Sequence, residues 1–83
     1  MSSTPDSRNL RTLDQLPVGA KARIREVLGS DHLATRLMEM GLLDGEEIET
    51  LAKAPLGDPI EFHIRGYRLS LRIAEARRIV LED

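Results

Sequence analysis

Glu61 and His63 stand two residues apart in the stretch IEFHI. If that stretch is a strand, both side chains leave the same face and can converge on a divalent cation. A specific transition-metal site needs three or four such ligands. The pair therefore reads as a solvated strand face, and the metal-ligand set expected here is empty. His32 is more isolated still. Ser30, Ser70, His63 and Asp58 supply the residue types of a hydrolytic triad. No spacing brings a serine, a histidine and an orienting carboxylate together, so no catalytic residue is expected. The chain has no cysteine, which removes a thiol nucleophile, thiolate ligands and disulfides at once. Met38 and Met40 have the chemistry of soft-metal ligands, but at helical spacing they read as core filler. Met38 becomes a partner contact if it is exposed.

Two rows of basic residues remain. Lys21, Arg23 and Arg25 alternate along one segment, and Arg68 with Arg72 along another. If those segments are neighbouring strands, the rows merge into a basic patch able to meet phosphate or an acidic surface. The competing reading is a barrel exterior on which Glu46, Glu47 and Glu49 balance them. No aromatic stacking residues stand beside the rows. A net charge of −2 gives no long-range pull on nucleic acid, which is not expected as a partner.

The elements that must position these groups follow from periodicity. Leu13, Leu16 and Val18 form a short apolar lead-in around Pro17 and Gly19. Residues 20–28 alternate, with Ala20, Ala22 and Ile24 on one face, and Val27 and Leu28 break the parity by a bulge or a strand end. In SDHLATRLMEMG the period changes. Leu33, Leu37 and Met40 mark a helix of about ten residues, with Ser30 or Asp31 as N-cap, Gly41 as the left-handed C′ residue and Leu42 as the apolar contact back onto the helix. Asp44-Gly45 is a turn dipeptide, after which Ile48 and Leu51 mark an imperfect strand. In APLGDPIEF two prolines and a glycine constrain the backbone around Asp58, so Asp58 reads as a loop residue rather than a catalytic one. Residues 60–64 and 67–73 alternate cleanly and make a hairpin. AEARR is at most one helical turn, and IVL is a short last strand.

Eighty-three residues make one domain with a thin core. With one Phe, one Tyr and no Trp, that core must be aliphatic. Short, half-buried strands manage their edges by curling up. The expected fold is mainly β: a small five-stranded SH3-like barrel with one short α-helix over residues 11–83, preceded by a flexible leader at 1–10. No apolar run is long enough to span a bilayer, and the first residues lack the apolar stretch of a secretory signal.

Met40-Gly41-Leu42 followed by Gly45, then APLGDPIEF, then GYRLSLRIAEARRIVL, resembles the FeoA family over roughly Leu13 to Leu81. Asp44 stands where members often carry proline. The resemblance implies an SH3-like barrel without catalytic activity or cofactor. It also implies a cytoplasmic accessory role in bacterial ferrous iron uptake, exerted by binding the cytoplasmic part of the membrane transporter FeoB, with no insertion into the membrane. The related alternative is a regulatory module tied to an iron-dependent transcriptional regulator or to DNA. The surface expected to meet the partner is the helix and its exit: Met38, Glu39, Leu42, Leu43 and Asp44, with only the outward residues serving. An exposed strand edge is available for weak self-association.

Overall fold

The computed structural model describes residues 10–82; the leader expected at 1–10 falls almost wholly outside them. A 3₁₀ turn at Leu13–Gln15 is followed by β1 (Lys21–Val27), α1 (His32–Glu39), β2 (Glu47–Lys53), β3 (Ile60–Ile64), β4 (Tyr67–Leu71), α2 (Ile73–Ala76) and β5 (Ile79–Leu81). The five strands form one antiparallel sheet in the order β4-β3-β2-β1-β5. The sheet curls into a small barrel. Across the gap between its two edge strands, α2 packs on β4 and on the 3₁₀ turn, and that turn packs on β5.

The core is aliphatic apart from one ring. Leu13, Leu16, Ile24, Leu37, Leu42, Ile48, Ile60, Phe62, Ile64, Leu71, Ile79 and Leu81 are buried together. Each buried aliphatic side chain stabilises by roughly 1.5–3 kcal/mol, which is what so small a domain has to set against chain entropy. Val18, grouped with the lead-in, instead faces solvent.

Two bulges shift the inward pattern. In β1, Ile24 pairs with Leu81 and Glu26 with Val80, leaving Arg25 as the extra residue. The parity break read at Val27 and Leu28 thus originates at Arg25, and Val27 returns to the inner side opposite Ile79. In β2, Thr50 pairs with Phe62 and Ala52 with Glu61. Leu51 is the extra residue there, and Thr50 takes the fully buried place beside Ile48. The strand marked by Ile48 and Leu51 is real, but its inward residues are Ile48 and Thr50.

The ends of α1 are specified by side chains. Asp31, rather than Ser30, is the N-cap, accepting the Ala34 N–H at 3.2 Å. Gly41 sits at φ 100° just past the C-cap Met40, and Leu42 N–H returns to the Leu37 carbonyl. The β3–β4 hairpin turns on Arg65 and Gly66, both at positive φ, the geometry whose twist matches that of the paired strands.

Candidate functional site

Asp58 is held in place by α2. Its Oδ1 accepts the Ile73 N–H at 3.0 Å, while Glu75 Oε1 accepts the Arg72 N–H at 2.7 Å. The two carboxylates satisfy donors that a helix start otherwise leaves open. Asp58 is therefore a structural clasp between the β2–β3 loop and the barrel's closing turn.

Glu61 and His63 do share the outer face of β3, in an open depression of about 510 Å³ with Glu49, Leu51, Ala52 and Arg68. Register places Glu49 across from His63 on β2 and Arg68 across from it on β4. Arg68 also pairs with Glu61 at 3.7 Å. Among the described residues no group of three or more His, Asp or Glu side chains is arranged to hold a metal ion. A guanidinium inside the depression opposes a second cation there. His32 is the exposed first residue of α1.

The basic rows do not merge. Two strands, β2 and β3, separate β1 from β4, so the condition for a basic patch fails. Lys21 instead faces Glu49 across the ladder and Arg23 faces Glu47. Arg23 Nη1 donates to the Gly45 carbonyl at 2.9 Å, and Arg65 pairs with Glu46 at 2.7 Å. Between β1 and β2 the charges alternate in sign across the ladder.

The exit of α1 is different. A shallow groove of about 410 Å³ lies between the end of β1 and the helix exit, lined by Arg25, Glu26, Val27, Met38, Leu42, Leu43 and Asp44. Met38 is 41% exposed and Leu43 44%, two of the few large apolar side chains left in solvent among the described residues. Leu42, named with them as a candidate, is fully buried in the core. It forms the floor and cannot be an outward contact. Glu39 and Asp44 are exposed on the same segment. The β1 bulge contributes Arg25 to this wall, a residue that strict alternation would have assigned to an ordinary outward row.

The groove is anchored at both ends of α1. Arg78 Nη1 and Nη2 grip the Asp31 carboxylate at 2.8 and 2.9 Å, and Nη1 also donates to the Leu28 carbonyl at 3.3 Å. The Arg78 hydrogen bonds, aided by the Ala34 N–H, hold the Asp31 carboxyl well below its ordinary 3.8. At the other end, the Tyr67 hydroxyl donates to the Met40 carbonyl. Sequence reading missed both tethers. They join residues far apart in the chain, and no short-range spacing signals them.

Comparison with known proteins agrees with this architecture. The family model described as the FeoA domain matches residues 11–83. A fusion of Fe(2+) transport protein A with the Fe(2+) transporter FeoB from Porphyromonas gingivalis is 37% identical over 70 residues, covering 84% of this chain. The chain spans only 8% of that much longer relative. The FeoA of Stenotrophomonas maltophilia, a prokaryotic SH3 domain protein crystallised with zinc, superposes with a TM-score of 0.77 at 37% identity, covering 87% of this chain and 89% of that one. A FeoA-like protein of Clostridium acetobutylicum gives 0.82 at 36% identity, covering 88% and 85%. With a family model spanning the whole barrel and two solved relatives superposing on most of it at more than a third identity, this chain belongs to the FeoA family.

Proposed function

We propose that this protein is a non-enzymatic accessory factor of ferrous iron uptake that docks on the cytoplasmic part of its cognate FeoB transporter through the exit of α1. The observation that carries the reading is the relative in which a homologous domain and the transporter are one polypeptide. Covalent linkage keeps two modules at millimolar effective concentration, which is useful where they work in contact. The docking face is argued from this chain's own surface. Met38 and Leu43 are apolar and exposed over a formed floor, and the charged residues lining the groove are Glu26 and Asp44 with Arg25. An apolar centre with a charged rim is the anatomy of a modest interface, and here the rim favours a partner with basic groups.

The test is co-precipitation of the purified cytoplasmic part of the cognate transporter with the full chain, in apo and nucleotide-bound states. The wild type should bind. Met38→Asp and Leu43→Asp should bind at least about tenfold more weakly with melting temperatures within a few degrees of the wild type, because both residues already face water. Absence of wild-type binding in every nucleotide state would sink the reading.

A further inference from the structure

Tyr67 is the chain's only tyrosine, and its ring stands 42% exposed at the start of the edge strand β4. It adds little to the core. Its hydroxyl nevertheless reaches across 27 residues of sequence to the carbonyl of Met40, the C-cap of α1. That carbonyl is one of those a helix end leaves without an internal partner. The next residue, Gly41, is at φ 100°, and a Cβ built there would collide with the Tyr67 hydroxyl oxygen. Hydroxyl, carbonyl and glycine therefore form one fitted contact. It sits at the point where the chain leaves α1 and enters the segment carrying Leu42, Leu43 and Asp44.

Beyond it the chain is tied by its backbone, with Leu42 N–H on the Leu37 carbonyl, Glu46 N–H on the Leu43 carbonyl and Gly45 N–H on the Ile24 carbonyl; the Met40–Gly41 peptide itself takes its side-chain tether from Tyr67. Among the contacts of α1 with other elements, packing on β1 predominates, and its inward residues are Ala34 and Leu37. Leu42 fixes the floor, but Met38 lies before the contact and Leu43 after it, and both point outward. Their relative placement is set by the backbone between them.

We infer that Tyr67 is a positioning residue for the α1-exit docking face: its hydroxyl locks the Met40–Gly41 backbone so that Met38 and Leu43 are presented together to the partner. This rests on the docking reading above. Without the hydroxyl, the exit samples other arrangements and the competent one is only a fraction of the population. Apparent affinity falls by that fraction. Loss of one net hydrogen bond corresponds to about five- to tenfold weaker binding.

The experiment uses the full chain and four versions of it: wild type, Tyr67→Phe, Leu43→Ala and the double variant. Each is titrated against the purified cytoplasmic part of the transporter, and spectra of the free chains are recorded by NMR. Tyr67→Phe keeps the ring and should keep the fold. In the free protein it should move the Gly41, Leu42 and Leu43 amide signals and the Met38 methyl signal, leaving those of β2 and β3 in place. Binding should weaken about five- to tenfold, and Leu43→Ala should cost the same in the Tyr67→Phe background as alone, because the competent fraction multiplies whatever affinity that state has. Wild-type binding that Tyr67→Phe leaves within about twofold would overturn the inference and spare the docking reading. A Leu43→Ala cost that differs between the two backgrounds would also overturn it, since it makes Tyr67 and Leu43 partners in one contact with the transporter. Absence of wild-type binding would sink the docking reading and this inference with it, while unmoved Gly41 and Met38 signals would refute the tether by themselves. Should Tyr67→Phe lose the fold, Gly41→Ala serves as the second variant. It perturbs the same contact from the other side and should weaken binding in the same direction, and unchanged binding by it would overturn the inference.

Discussion

Asp31 joins local and distant structure in one carboxylate. It caps α1 through the Ala34 N–H and holds Arg78, which precedes β5, in a two-pronged ion pair. Its folded-state ionisation lies below the unfolded value. The stability it contributes is therefore present above the ordinary carboxylate range and is lost as pH falls through the folded value. Asp31→Asn preserves a good cap and removes the ion pair. The melting temperatures of wild type and variant should differ most above about pH 5 and converge as pH drops below the ordinary carboxylate value. A gap that stays constant down to acid pH would contradict the assignment. Thr50 carries the opposite kind of effect. It is fully buried and its hydroxyl finds no partner. Thr50→Val exchanges that hydroxyl for a methyl of similar shape and should stabilise by about 1 kcal/mol, a rise of roughly 4–8 °C in melting temperature for a domain of this size. A lower melting temperature would mean that the hydroxyl is satisfied in solution.

The elements behave as their ends dictate. α1 is eight residues long and too short to persist alone; capping and tethers define it. Gly41→Ala forces an alanine into left-handed backbone and drives its Cβ onto the Tyr67 hydroxyl. It should cost about 1–3 kcal/mol by thermal or denaturant unfolding, and less in a Tyr67→Phe background, where the colliding oxygen is gone. Equal costs in both backgrounds would refute the contact. Much of this architecture was legible beforehand. The α1 stripe, the Asp44-Gly45 turn, the hairpin read at 60–64 and 67–73 and the closing IVL strand all follow from periods of 3.6 and 2 and from turn chemistry, although the second hairpin strand ends at Leu71 and Ile73 opens α2 instead. Periodicity failed at the bulges. One extra residue, Arg25 in β1 or Leu51 in β2, resets the inward phase, and nothing in the local residue types distinguishes it. The alternation of Lys21, Arg23 and Arg25 was legible as well. Its separation from Arg68 and Arg72 was not, because strand order is decided by the whole sheet. Of the docking segment, the return of Leu42 onto the helix was legible from Gly41, and it conflicts with naming Leu42 as an outward contact; that Leu43 faces solvent was not legible, because its direction is set by the turn that follows.

At the scale of the whole molecule, acidic and basic side chains face one another across neighbouring strands, Lys21 opposite Glu49 and Arg23 opposite Glu47. What distinguishes one region is the pairing of exposed apolar side chains with a backbone fixed at both ends of a short helix. Asp31–Arg78 anchors the entry, Met40–Tyr67 anchors the exit, and the groove with Met38 and Leu43 lies at the exit. Under the proposed docking reading, the barrel presents this surface on a rigid frame. The most direct test is an NMR titration of the isotope-labelled chain with the purified cytoplasmic part of the cognate FeoB. The predicted result is saturable shifts or broadening centred on Met38, Glu39, Leu43 and Asp44, with the outer face of β3 around His63 unaffected. Perturbation centred on His63, Glu61 and Arg68 instead, or no perturbation at any protein ratio, would contradict the account.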